Sequence, residues 1–141
     1  MSMLAFGDVS DVVDRINAEA TTLKSPAQHA WFTNPLDSFD SEIPSCVVYP
    51  NEQFSSQSRD SPVCRQLSQI GVTVLIVAPI TELGVVVEDI RKALLGWQVG
   101  TNYGIMKFSH QNIPYAMPVE IKADHIWWSE LYEVEYLNRT I

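Results

Sequence analysis

Apolar side chains recur near the start of the chain at Val9, Val12, Val13, Ile16, Ala20 and Leu23, in steps that lay one stripe along a helix. The pattern predicts a helix over residues 8–23. Asp8 stands where its carboxylate can cap the first turn, Asp11 lies where negative charge suits the helix dipole, and Pro26 disfavours helical backbone at Ser25. A short strand over 27–33 follows. The segment 34–45, with its prolines, Asp and Ser residues, reads as a loop leading to a compact strand, Cys46-Val47-Val48-Tyr49, closed by Pro50. Residues Asn51 to Ser61 hold a single apolar side chain, Phe54, and show no period of either kind, which predicts an exposed, mobile loop.

Alternation resumes after that loop. Val63, Arg65, Leu67 and Gln69 alternate with Cys64, Gln66 and Ser68, and the β-branched run Val72 to Val77 follows Gly71. This is one long kinked strand or two strands in a hairpin. Its second half is apolar on both faces, which predicts a central strand covered by helices on one side and by another subunit on the other. Thr81 is the expected N-cap of a second helix carrying Leu83, Val87, Ile90, Leu94 and Trp97 on one face, with its end marked by Gly96. Glu88 and Lys92 stand four apart on its outer face. Three strands complete the chain: 103–108, 113–121 interrupted by Pro114 and Pro118, and 125–137. In the last, Ile126, Trp128, Tyr132, Val134 and Tyr136 share one face; His125, Trp127, Ser129, Leu131, Glu133 and Glu135 share the other. The order of elements predicts one α+β domain over 1–141, a mostly antiparallel β-sheet with two α-helices packed on one face.

Composition narrows the function classes. Nine Lys plus Arg against 17 Asp plus Glu give a net charge of −8, which disfavours nonspecific nucleic-acid binding. The longest apolar run, Val72 to Ile80, is broken by Thr73 and Pro79 and falls short of the roughly 18 to 20 residues of a membrane helix. The first residues lack a basic and an apolar signal region, so the chain is expected to stay in the cytoplasm. Cys46 and Cys64 have no C-x-x-C spacing and read as small buried hydrophobes.

Chemical motifs are sparse. His29, His110 and His125 have no neighbours at zinc-site spacing, and the segment Gly100 to Gly104 lacks the Lys of a phosphate-binding loop. Neither a metal nor a nucleotide cofactor is expected. Glu133 and Glu135 superficially suit two-carboxylate chemistry, but an acidic solvent face accounts for them equally well. Trp97, Trp127, Trp128, Tyr132 and Tyr136 have acidic neighbours rather than the basic ones a base-stacking platform needs. Core packing for one face, and a protein interface for Trp127, is the preferred assignment.

The helix end Ala93-Leu94-Leu95-Gly96-Trp97, the short strand over 103–108, and the final strand with Ile126-Trp127-Trp128, Leu131, Tyr132 and Tyr136 carry a likeness. Over residues 81–141 the chain resembles the tail terminator, or tail-completion, proteins of tailed bacteriophages, in the branch with Mu-like contractile tails. Residues 1–80 match that family only in the order of elements. The resemblance implies a virion subunit, assembled in the host cytoplasm, that closes the head-proximal end of the tail tube as a hexameric ring. Its partners would be further copies of itself, the tail tube protein and the head–tail connector, and it would be neither an enzyme nor a cofactor or membrane binder. Genome DNA would pass the ring lumen without specific binding. Phe54 and Arg59 in the loop 51–61, and Ser109, His110, Gln111 and Asn112 in a polar turn, are the candidate contacts alongside Trp127. The alternatives are another neck or tube component, or a small cytoplasmic enzyme or ligand-binding domain.

Overall fold

The computed structural model describes residues 4, 8–29, 43–57, 65–109, 115–121 and 124–139, the side chains of 29, 51–57, 65–68 and 137–139 excepted. Among the described residues two helices, α1 (Ser10–Glu19) and α2 (Leu83–Leu94), accompany six strands: β1 (Gln28–His29), β2 (Ser45–Gln57), β3 (Arg65–Pro79), β4 (Lys107–Phe108), β5 (Ala116–Ile121) and β6 (His125–Arg139). The strands form one sheet in the order β1-β2-β3-β6-β4, with β5 also pairing β6. Every pairing is antiparallel except β1 with β2. The α+β class, with both helices on one face of a mostly antiparallel sheet, is the architecture observed.

The pleat explains which side chains meet the helices. Cys46, Ile76 and Trp128 stand abreast across β2, β3 and β6, as do Val48, Val74 and Glu130. That face packs on Val12, Val13 and Ile16 of α1 and on Val86, Ile90 and Leu94 of α2. The opposite face carries a smaller cluster, Leu75, Val77 and Trp127, with Ile43 and Tyr49 against it. All residues from Val72 to Ala78 are buried within one chain, so both faces of central β3 are covered without a second subunit.

Helix boundaries differ from the periodic stripe because of the bonds made at each end. Asp8 does not cap α1: Val9 holds the cap position without a side-chain bond, and Asp8, one residue earlier, accepts at Oδ1 from the backbone N–H and hydroxyl of Ser10. The stripe continues to Leu23, but the helix stops at Glu19. Ala20 is extended, and beyond it Thr22 donates to Asp89 Oδ2 from its N–H at 3.0 Å and its hydroxyl at 2.9 Å, so the chain docks on α2 instead of coiling on. Thr81 does not cap α2. Its turn closes through Glu82 N–H to Pro79 O at 2.9 Å, and Glu82 occupies the cap position. Gly96, at φ +80°, supplies the left-handed residue after α2, and its N–H donates to Met106 O at 2.9 Å.

The expected loop over 51–61 is a correction. Residues 51–57 continue β2, paired with β3 from Gln53 opposite Ile70 to Gln57 opposite Gln66. An established ladder extends through polar sequence because the partner strand supplies the hydrogen bonds. Residues 58–61, with Arg59, lie outside the described residues. β3 is one long strand. The strand expected over 103–108 is reduced to β4 plus isolated bridges of Tyr103 to Tyr136 and Ile105 to Gln98, because Met106 bonds back to the end of α2 on both sides. No helix among the described residues is long and apolar enough to cross a membrane.

Candidate functional site

Three of the predicted contact residues, Phe54, Ser109 and Trp127, fall among the described residues. Phe54 sits in β2 opposite Gln69. Ser109, which follows β4, is buried, and its N–H donates to Leu131 O at 2.9 Å, so it stands inside the sheet rather than in a surface turn. His110, Gln111 and Asn112 lie outside the described residues, as does Arg59. Trp127 is only 6% exposed in the single chain, against Leu75 and Val77, where the alternation predicted an exposed or interfacial indole.

A charged cluster not foreseen from the sequence lies between α2 and β6. Glu130 is fully buried, and its carboxylate accepts four hydrogen bonds. Arg91 reaches it as a fork, Nε to Oε1 at 2.8 Å and Nη2 to Oε2 at 2.7 Å. Trp128 Nε1 donates to Oε2 at 3.0 Å, and the Tyr132 hydroxyl to Oε1 at 3.1 Å. The Arg91 guanidinium also lies over the Phe108 ring at 5.1 Å, and Phe108 makes stacked contacts with Tyr115 at 4.2 Å and Tyr132 at 5.3 Å. On its outer side Arg91 meets Glu88 at 3.8 Å, so Glu88 pairs three residues ahead rather than with Lys92. Both carboxylate oxygens of Glu130 are engaged. The cluster pins α2 to the sheet and offers no free proton-transfer group.

Electrostatics follow from this packing. The hydrogen bonds to Glu130 hold the Arg91 guanidinium even more firmly protonated than usual. Burial first, and then the Glu130 charge, push the Tyr132 phenol far above its ordinary range. Burial also pushes the Cys46 thiol up to about 12, which leaves it an inert core residue at neutral pH. Both acids are therefore neutral in the fold at a pH where the unfolded chain has begun to ionise. The contribution of Cys46 is intact below about pH 8.5 and that of Tyr132 below about pH 10, and above its own onset each lowers stability with a slope approaching 1.4 kcal/mol per pH unit. Urea midpoints measured between pH 8 and 11 are expected to fall, and Cys46→Ala to flatten the early part of that decline. An unchanged slope in Cys46→Ala would contradict the assignment.

Elsewhere, Lys107 Nζ lies 3.9 Å from Glu135, and Glu133 is buried, so the two-carboxylate face carries its own cation. His125 Nδ1 sits 2.7 Å from Asp124 Oδ1 at the entrance of β6. Two surface features stand apart from these. β5 presents Met117, Val119 and Ile121 to solvent, with Tyr115 just before it. A cleft of about 760 Å³ opens between α1 and the connector after α2, bounded by Asp11, Asp14 and Arg15 on one side and by Trp97, Tyr103 and Tyr136 on the other.

No family profile matches the chain, and no curated protein matches it in sequence. In fold it is similar to a solved chain from the virion of a native gene transfer agent (GTA) particle, with a TM-score of 0.59 and 10% identity. The likeness spans 98% of this chain and 100% of the other. At that identity it establishes a shared fold.

Proposed function

We propose that the protein is a structural component of a phage-like particle and that it acts as a tail terminator. The observation that carries this reading is the end-to-end fold likeness to a virion chain, which leaves neither protein with a large unmatched segment. The motif resemblance of residues 81–141 to tail terminators supports the finer assignment. The chemistry of the described interior agrees: the saturated Arg91–Glu130 cluster clamps a helix, and the thiol of Cys46 is buried and protonated.

In this role further copies join through a heterologous interface that closes into a ring of about six subunits, the geometry that rotation without a two-fold axis requires. The ring ends tube polymerisation and presents a surface to the head–tail connector, with no catalysis and no cofactor. Exposed apolar residues of β5 suit such burial, because contiguous apolar surface on a soluble chain marks contact sites.

Absolute mass from light scattering after size exclusion tests the reading, over a range of protein and salt concentrations. The expected result is a species of about six times the 15.9 kDa subunit, or a monomer that becomes one on mixing with tail tube protein. A concentration-independent monomer that ignores tube protein would overturn it.

A further inference from the structure

We propose that the cleft between α1 and the connector after α2 is a docking site for an arginine side chain carried by a partner protein. Trp97, Tyr103 and Tyr136 give its wall three aromatic rings beside Val99, with Tyr103 and Tyr136 packed ring to ring at 4.8 Å. The rim is acidic: Asp11 and Asp14, three apart on α1, border the same space. Among the described residues neither carboxylate takes part in an ion pair or hydrogen bond.

The charge that belongs to the cleft itself is already committed. Arg15 directs Nε to Ala93 O at 2.8 Å, Nη1 to Glu19 at 3.4 Å, and its guanidinium plane to the Trp97 ring at 5.5 Å. It therefore holds α1 on α2 and leaves the two Asp carboxylates uncompensated. An apolar, ring-lined groove with unpaired carboxylates at its edge complements a cation with a flat, weakly hydrated face. A guanidinium satisfies both requirements, since it stacks on aromatic rings and forms paired hydrogen bonds to carboxylate. An anionic or neutral occupant would leave the carboxylates unanswered. The volume lies within the range of sites that enclose a ligand group, and its half-open mouth admits a side chain borne on another chain. The lining comes from one chain, so peptide binding is read on that chain directly, independently of the mass found by light scattering.

The test uses the full chain and the peptide acetyl-Ala-Arg-Ala-amide, compared with the same peptide carrying citrulline, which keeps the shape of arginine and removes its charge. Backbone amide chemical shifts are followed by NMR up to about 10 mM peptide, a range that reaches weak single-residue affinities. The arginine peptide is expected to give saturable shifts confined to residues 11–15 and 97–103, with the citrulline peptide at least about tenfold weaker. The double variant Asp11→Asn/Asp14→Asn should lose that preference while keeping its spectrum, with only the small fall in melting temperature that loss of the Asp11 charge from the first turn of α1 brings. Added salt should weaken binding of the arginine peptide alone. No saturable shift, equal binding of the two peptides, shifts centred on another acidic surface, or an unchanged preference in the double variant would each overturn the proposal.

Discussion

Arg91→Met is expected to destabilise the protein by about 3–5 kcal/mol, the cost of leaving a buried charge without its partner. Glu130 is fully buried, and its two shortest hydrogen bonds, at 2.8 and 2.7 Å, both come from Arg91. The variant would leave the carboxylate with only neutral donors, the Trp128 indole and the Tyr132 hydroxyl. Methionine retains most of the apolar stem, so the loss reports on charge rather than on volume. Glu130→Gln is expected to cost less, because an amide keeps an acceptor for Trp128 or Tyr132 and carries no charge to strand. The double variant Arg91→Met/Glu130→Met removes both charges and should recover most of the loss, since well-packed apolar replacements of buried pairs are neutral or stabilising. Urea denaturation at neutral pH of the parent, Arg91→Met, Glu130→Met and the double variant measures the coupling as a double-mutant cycle. If Arg91→Met unfolds within about 1 kcal/mol of the parent, the ion pair lies in a wetter place than its burial implies.

The same cluster marks where sequence reasoning stopped. Alternation along 125–137 sorted Trp128, Tyr132, Val134 and Tyr136 onto the helix-covered face, and the structure places them there. Glu130 occupies the period-two position between Trp128 and Tyr132, so it had to point into the same core. The signal was legible: one acid interrupting an aromatic face, with Arg91 beside Ile90 on the buried side of the second helix. What the strand pattern alone lacked was the crossing of α2 over β6, which is a tertiary fact. The two helices were readable because their apolar stripes are long and regular; the end of α1 was not, because Thr22 bonds to Asp89 on α2, and the start of α2 was not, because Glu82 N–H to Pro79 O closes a turn that needs no Thr81 cap.

The polar half of β2 was illegible for a different reason. Its pairing with β3 lies beyond the helix-covered core, and strand formation there follows from ladder continuity rather than from apolar alternation. The same limit applies to interaction surfaces. Asp11 and Asp14 look like ordinary solvated helix positions in sequence, and only the fold brings Trp97, Tyr103 and Tyr136 opposite them. Surface sites assembled from distant segments leave no spacing signature, whereas a metal or nucleotide motif does.

Trp127→Ala is expected to cost about 3–5 kcal/mol in the isolated subunit, the range for emptying an aromatic site in a core. The alternation alone placed Trp127 on the polar face and so at an interface, which predicts loss of assembly with an intact fold. Burial to 6% exposure against Leu75 and Val77, with Ile43 and Tyr49 beside them, reverses that order. These residues form the whole of the second described cluster, so a cavity at Trp127 cannot be refilled from the larger core across the sheet. Trp127→Phe should recover part of the loss, because the ring still spans Leu75 and Val77 while the volume falls. Trp128→Ala is a useful contrast: that side chain is only partly buried, and its truncation removes a hydrogen bond to Glu130 together with packing on the main core. Urea denaturation at concentrations where the protein is monomeric, read beside light scattering, separates the two contributions. Loss of monomer stability in Trp127→Ala would place its role in the fold. A variant with parental monomer stability and weakened assembly would show instead that the indole serves the interface between subunits.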